Sequence, residues 1–228
     1  MKNSLSFGIV AACMLAAVIL SFVSISSAAE PSHTRTRTRS GTYQNSKGGS
    51  GTFSSTTTHS PGQEQTQGTW TNQNGQTGTR EAEKTWDKST GTGTYSSTTT
   101  RPDGKTTSRQ GTTTKTGDNT FQSQGTYTRA DGKTGTVQST TTKTDTGRET
   151  QGTITAANGK QSTFDTQVTK TPGEITHSTV VTGPNGKTSE RVVDTHLNSD
   201  GTGTRSIEVT KPDGTTETRT ESFTTTKG

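Results

Sequence analysis

The residues best suited to acid–base or metal chemistry are scattered along this chain. Its histidines, His33, His59, His177 and His196, lie in separate regions, and none shows the short His-to-His spacing of a zinc site. Serine is plentiful, but no nucleophile elbow, phosphate-binding loop or dinucleotide fingerprint occurs. The sequence therefore predicts a non-catalytic protein with no metal and no cofactor.

Two weaker polar groupings also have a structural interpretation. His177 and Val193 are predicted cross-strand neighbours and His196 follows closely, so both histidines could share one patch of a sheet. The segment 198–201, Asn-Ser-Asp-Gly, is similar to part of a calcium loop, but the distal bidentate glutamate is missing. Exposed strand histidines and a hairpin turn are the simpler interpretations.

Four lysines give the best candidate binding surface, because each directly follows a turn glycine. If the turns share one end of a sheet, these lysines form a rim with spacings of about 9–10 Å, two strand separations. Such a rim could bind an anionic polysaccharide, lipopolysaccharide or nucleic acid phosphates; alternatively, it only keeps the turns soluble. We name this set the lysine rim: Lys105, Lys133, Lys160 and Lys187.

Three arginines near the start of the mature chain are the other concentration of charge. Arg35, Arg37 and Arg39 alternate with threonines, so a strand would place all three on one face. A solvated N-terminal arm is the interpretation that the sequence favours.

The elements that must position these residues repeat with a period of about 28 residues. In all but the first repeat, where Ser-Lys precedes the glycine, the turn has the form Asp or Asn followed by Gly. This form is typical of a type I turn with a left-handed glycine bulge. A second turn signal lies halfway between successive glycines, so each unit is two strands and two turns. The marker glycines are Gly48, Gly75, Gly104, Gly132, Gly159, Gly186 and Gly214.

A bulged turn fixes the register of its hairpin, and this register places seven of the nine mature aromatic residues opposite glycine. The opposite face carries threonine pairs such as Thr42 with Thr52. We therefore predict an all-β antiparallel meander of about 12–14 short strands. It could be a single layer, coiled, or rolled into a barrel. The aromatic–glycine pairs are Tyr43–Gly51, Phe53–Gly41, Trp70–Gly78, Tyr95–Gly111, Tyr127–Gly135, Phe164–Gly152 and Phe223–Gly203.

Composition limits the kind of core that the chain can build. Residues 30–228 contain 24 apolar residues (Ala, Val, Ile, Leu, Met, Phe, Trp, Tyr or Cys) in 199 positions, against 58 threonines. That is too few to enclose an enzyme-sized core, because burial must offset about 1–2 kcal/mol of backbone entropy per residue. The last third is richer in Val, Ile and Leu, and we expect the best packing there.

The first 29 residues are predicted to be a signal peptide, which makes residues 30–228 the mature repeat region. Lys2 precedes an apolar run from Phe7 to Val23, and Ser-Ala-Ala at 27–29 forms a cleavage site. A lipoprotein box ending at Cys13 is the alternative. The mature chain has no cysteine, which indicates a bacterial envelope or exterior location, and its charge is mildly positive, 23 basic against 19 acidic residues.

Two families show a local resemblance. The segment from Gly125 to Tyr127, followed by Gly132 and Gly135, resembles the hairpin tips of MORN-type repeats. Gln-Gly steps and export are similar to curli-like amyloid subunits, although prolines and charged strands are unfavourable for a stacked fibre. Neither resemblance implies a function here.

Together these patterns predict a secreted, non-catalytic repeat protein with a structural or adhesive role, or a binding module for an anionic polymer through the lysine rim. An open meander has two free edges, and Arg35, Arg37 and Arg39 at one edge complement Glu217 and Glu221 at the other. We therefore expect self-association through these edges. No strand carries a continuous apolar face, which disfavours a membrane-inserted barrel, and no specific nucleic acid or transmembrane span is expected.

Overall fold

The computed structural model describes residues 33–227, so the predicted signal peptide and Cys13 lie outside the described residues. Those residues form antiparallel strands joined by short turns. The strands are β1 (Arg35–Asn45), β2 (Ser50–Ser60), β3 (Gln63–Asn72), β4 (Thr77–Thr85), β5 (Thr92–Thr100), β6 (Thr106–Lys115), β7 (Thr120–Thr128), β8 (Thr134–Thr144), β9 (Gly147–Thr155), β10 (Gln161–Thr171), β11 (Glu174–Thr182), β12 (Thr188–Leu197), β13 (Thr202–Thr210) and β14 (Thr216–Lys227).

Each strand pairs with its neighbours in sequence, and β1 pairs with β14, which closes a 14-stranded barrel. The predicted all-β meander is confirmed, and the barrel is the alternative that forms. The interpretation of residues 35–39 as a solvated arm is wrong. They begin β1, because each finds ladder partners on β2, and Arg37 and Arg39 also pair with β14.

The predicted turn geometry is confirmed at all seven marker glycines, whose φ angles lie between 75° and 80°. In the turn after β7, Gly132 N donates to Arg129 O at 2.9 Å and Arg129 N donates to Lys133 O at 2.9 Å. These seven turns lie at one end of the barrel, which we call the rim end. The opposite end, where β1 begins and β14 ends, we call the terminal end.

All seven predicted aromatic–glycine pairs are present in the ladder. At six of these glycines the paired ring occupies the space of a side chain: a Cβ added to Gly135 would stand 2.6 Å from Cζ of Tyr127. Gly41 is the exception, because a Cβ there would meet the backbone of β14. Tyr95 covers two glycines in this way, Gly111 and Gly125. The glycines are therefore needed for space rather than for flexibility.

One face of every strand points into the barrel, and the buried apolar residues lie on that face. The main cluster joins β7 to β11 and contains Tyr127, Val137, Ile154, Phe164 and Val181. The expectation of best packing in the last third is only partly correct. Val181 and Val193 are buried there, whereas the exposed large hydrophobic residues are Ile175, Val180 and Leu197.

Threonine pairs occur on both faces, and the predicted outward pairs, such as Thr42 with Thr52, are confirmed in register. The prediction of a single hydroxyl face is incomplete, because the interior also contains bonded hydroxyl pairs. Thr141 and Thr150 lie 2.9 Å apart between their Oγ1 atoms, and Thr166 and Thr179 make the same contact at 2.9 Å. These pairs satisfy polar groups in an interior with few apolar side chains.

Candidate functional site

Charge is segregated between the two faces of the barrel wall. Within strand residues 35–226, the alternation of the ladder places every arginine and lysine inward, against three inward acids, Glu64, Glu217 and Glu221. The interior is therefore strongly basic. The inward cations are Arg35, Arg37, Arg39, Arg80, Lys84, Arg109, Lys115, Lys143, Arg148, Lys170, Arg191, Arg205 and Arg219.

The outward faces of the same strands carry acids and hydroxyls. Apart from Val180 and Val192, the outward strand residues between 35 and 226 are polar or glycine. The resulting outer wall has no strand cation to neutralise its carboxylates. The outward acids are Glu81, Glu83, Glu149, Asp165, Glu174, Glu190, Asp194 and Glu208.

The Glu221 cluster, formed by Glu221 with Arg39, Arg205 and Arg219, lies where β14 meets β13 and β1. The Glu221 carboxylate is 6 % exposed and accepts contacts from three guanidinium groups. Its oxygens lie 3.1 Å from Arg39 Nη2, 3.0 Å from Arg219 Nη2 and 3.5 Å from Arg205 Nη1. This arrangement ties the last strand to the first through side chains as well as through the ladder.

Aromatic rings support the same cluster. The Arg39 guanidinium lies 3.6 Å from the centroid of the Phe223 ring, and that of Arg219 lies 3.9 Å from the centroid of Tyr43. Burial and the nearby Arg205 lower the pKa of Arg39 to about 10, and Glu221 opposes this shift. Each of these two guanidiniums is therefore held by both a carboxylate and a ring.

The other inward acids are also paired. Glu64 accepts from Lys84 at 2.6 Å and lies 3.2 Å from His59 Nδ1. Glu217, near the rim end, pairs with Lys47 at 2.8 Å and with Lys211. Within residues 33–226, the inward acids are thus all committed to particular cations.

The Arg148 cluster, which we define as Arg148, His177 and Arg191, has no carboxylate. Arg148 on β9 and His177 on β11 pair with Val168 from either side, and Arg191 is the next inward residue after Val193, the β12 partner of His177. Among the described residues, neither Arg148 nor Arg191 makes an ion pair or a side-chain hydrogen bond. Arg148 Nε and His177 Nε2 are buried and have no partner there.

The electrostatics of the Arg148 cluster follow from this. Burial, and then the charges of Arg148, Arg191 and Arg205, lower the pKa of His177 to about 4, so the imidazole is neutral at pH 7. Burial also lowers the pKa of Arg148 to about 10. Burial and then Arg205 lower the pKa of Arg191 to about 10, while Glu221 opposes this shift without contacting Arg191. Both arginines remain charged at neutral pH, in a region where water solvates them poorly.

Lysines on three alternate strands lie near the terminal end, and one of them, Lys143, pairs directly with Arg148. Lys115, Lys143 and Lys170 are the inward residues nearest that end of β6, β8 and β10. Burial lowers the pKa of Lys143, and the charge of Lys115 lowers it further, so these two lysines are close together. The terminal end therefore has a positively charged mouth.

The structure places the lysine rim together at the rim end, as the turn register requires. Each lysine N donates to the Asp or Asn two residues earlier, for example Lys105 N to Asp103 Oδ1 at 3.1 Å. The ammonium groups of Lys105 and Lys133 also lie 4.0 and 3.9 Å from Asp103 and Asp131. Binding by this rim remains a prediction.

The remaining candidates do not form a site. His177 points inward together with its partner Val193, and His196, three positions farther along β12, points outward. The two histidines therefore do not share a patch. Residues 198–202 form a hairpin turn, with Gly201 at a φ of 85°. Among the described residues, no group of three His, Cys, Asp or Glu side chains could hold a metal ion.

Sequence reasoning missed the basic interior, although the signal was present. The arginines occupy the same alternate positions as the aromatic residues and their glycine partners, as in Arg39, Gly41 and Tyr43. Once the sheet closes, those positions share one enclosed space. An open or coiled sheet, which the hairpin pattern allows equally, would enclose nothing.

Comparison with known proteins shows likeness of fold alone. No family model and no curated protein matches the sequence. Two mutants of the Rh. blastica porin, one with five substitutions and one with two, each match with a TM-score of 0.50 and 8% identity, over 85% of this chain and 99% of theirs. No helix in the described part of the chain is long and apolar enough to cross a membrane.

Proposed function

We propose that this protein is an exported, non-catalytic barrel that binds an anionic ligand at the cell envelope or outside the cell. The observation that carries the proposal is the segregation of strand charge, with cations inside and acids outside. An enclosed excess of cations is unfavourable by itself, because burial removes their hydration. A bound anion offsets that cost.

The excess of inward cations over inward acids favours a binding role over a purely structural one. A structural interior needs enough acids to neutralise its arginines, and the three inward acids are already shared among other cations. The cationic mouth at the terminal end would raise the local concentration of anions and speed their entry.

The polar outer face of the barrel favours a barrel surrounded by water over one inserted in a membrane. A barrel in lipid presents a continuous apolar band, and here Val180 and Val192 are the apolar outward strand residues between 35 and 226. The word porin in the names of the matched structures suggests a channel. An exterior of threonine, glutamine and acidic residues is poorly suited to that role in a membrane.

A structural or adhesive role is the second candidate, favoured by the regular hydroxyl exterior. Self-association through sheet edges stays a prediction, but β1 and β14 pair with each other within one chain. The complementarity of Arg39 and Glu221 that was expected between molecules is used inside one molecule. Assembly by edges would therefore require this seam to open.

The test is binding of dextran sulfate and of neutral dextran to the mature chain by titration calorimetry over a range of salt concentrations. We expect dextran sulfate to bind, with affinity falling steeply as salt rises, and neutral dextran not to bind. A variant with all four rim lysines changed to Gln separates the rim from the interior, since only binding at the rim would be lost. Absence of dextran sulfate binding at low salt would contradict the proposal.

A further inference from the structure

We infer that the Arg148 cluster is a binding site for a tetrahedral oxyanion, a phosphate or sulfate group, inside the barrel between β9 and β12. This inference rests on the proposed function and specifies where the ligand binds and what group it presents.

Buried donors without partners mark the position. Arg148 Nε and His177 Nε2 are buried and find no hydrogen-bond partner among the described residues. An unsatisfied buried polar atom is costly, so two such atoms on residues that both pair with Val168 indicate a missing partner.

The missing partner must be an acceptor and must carry negative charge. Arg148 and Arg191 both retain full charge at pH 7, and each is a donor without acceptor capacity. The charged groups that act on His177 are all arginines: Arg148, Arg191 and Arg205. A neutral ligand would satisfy hydrogen bonds but would leave this repulsion unchanged.

The positions of the donors favour a tetrahedral group over a planar carboxylate. The donors come from three strands, with Arg148 on β9, His177 on β11 and Arg191 on β12, so they approach from different parts of the curved wall. A phosphate or sulfate group offers oxygens in four directions and can accept from all of them. A carboxylate offers two oxygens in one plane, suited to one guanidinium fork.

The Arg148 cluster lies near the terminal end of the barrel. Arg148 is the first inward residue of β9 from that end, and Lys143 pairs with it from β8. Lys115 and Lys170 add two further cations at this end of the interior. This side is opposite the lysine rim, so ligand entering here does not need the rim.

The test compares the parent with two double variants in calorimetric titrations with inorganic sulfate, inorganic phosphate and acetate. Arg148→Gln with Arg191→Gln removes two charges from the cluster, and Lys160→Gln with Lys187→Gln removes two charges from the rim. We expect the parent and the rim variant to bind sulfate and phosphate at least tenfold more tightly than acetate. We expect the cluster variant to lose at least tenfold in affinity for both.

A second measurement uses the unaltered protein and avoids any folding defect of the variants. The imidazole proton resonances of His177, assigned by their absence in His177→Gln, should shift on addition of sulfate, while those of His196 should not. If sulfate and phosphate bind the cluster variant as tightly as the parent, or leave His177 unmoved, the assignment of the site is overturned. If the site assignment fails but the parent still binds dextran sulfate, the proposed function stands. If the parent binds no anion at all, the site assignment and the proposed function are both overturned.

Discussion

The Glu221 cluster and the Arg148 cluster both place arginines inside the barrel, but in the described part of the chain only the arginines of the Glu221 cluster contact a carboxylate. In the Glu221 cluster, one carboxylate contacts three guanidinium groups, and two of these also stack on rings. In the Arg148 cluster, the arginines contact no carboxylate among the described residues, and the adjacent histidine is neutral. The two regions therefore differ in whether the protein itself supplies the anion.

This difference separates a structural role from a binding role. Nε of Arg39 and of Arg219 also lacks a partner, but each guanidinium is fixed through its Nη2. These arginines join β14 to β1 at the place where the sheet closes. The Arg148 cluster lies within the continuous part of the meander, where no closure needs to be secured.

The largest effect should come from Glu221→Gln, which leaves three guanidinium groups without their anion. Removing one partner of a buried ion pair costs about 3–5 kcal/mol, and we expect a loss of unfolding free energy in that range, measured by urea denaturation. Glu208→Gln on the outer face of β13 is the matched control and should change stability by less than about 0.5 kcal/mol. Equal stability of the two variants would contradict the structural role of the Glu221 cluster.

The same variant tests the fate of the sheet edges. If Glu221→Gln weakens the β1–β14 seam, the edges become available to other molecules, and salt-sensitive self-association should appear in sedimentation velocity. The parent with its seam closed should sediment as a smaller species at the same concentration.

Lowering the pH should destabilise the protein through protonation of His177 in the Arg148 cluster. Because burial holds the folded-state pKa near 4, below the ordinary 6.5, the unfolded chain binds the proton first. Stability is therefore full above pH 6.5 and falls as the pH decreases from 6.5 to 4, by up to about 3 kcal/mol. His177→Gln should remove this part of the pH dependence of urea denaturation, whereas His196→Gln should preserve it.

A steric change should disturb the Glu221 cluster alone. A Cβ at Gly203 would stand 2.5 Å from the Phe223 ring and 2.5 Å from the His196 carbonyl oxygen, so the ring on which Arg39 stacks must move. We expect Gly203→Ala to cost about 1–3 kcal/mol in thermal or urea unfolding, the usual range for overpacking. Sulfate binding should not change, and if it did, the two clusters would not be independent.

The sequence predicted the strands, turns and local register well, because these depend on residues within one hairpin. The turn glycines set the pairing of Tyr127 with Gly135 and of Thr42 with Thr52, and both pairs are present. Closure depends instead on residues far apart in the sequence, such as Arg39 and Glu221, which are 182 positions apart. Their opposite charges are equally consistent with a contact between molecules. A hairpin pattern does not encode whether the last strand meets the first strand of its own chain or of another.

The candidate site was missed because its face of the sheet was not treated as an enclosed interior. Arg148 and His177 lie on consecutive strands of the meander and both pair with Val168, so they are neighbours with or without closure. Closure of the sheet is what encloses the face that they share. The lysine rim could be predicted because its members share one turn position.

The smallest effect, and the sharpest comparison of the two clusters, comes from removing one arginine from each. Arg219→Gln takes a donor from Glu221 and uncovers Tyr43, so we expect it to destabilise the barrel by about 1–2 kcal/mol. Arg148→Gln removes a buried charge that has no counter-ion, and the loss of its packing offsets the gain, so stability in sulfate-free buffer should change by less than about 1 kcal/mol. Sulfate at ten times its dissociation constant should stabilise the parent and Arg219→Gln by about 1.4 kcal/mol, and Arg148→Gln by much less. If Arg148→Gln proved as destabilising as Arg219→Gln and kept the response to sulfate, both clusters would be structural.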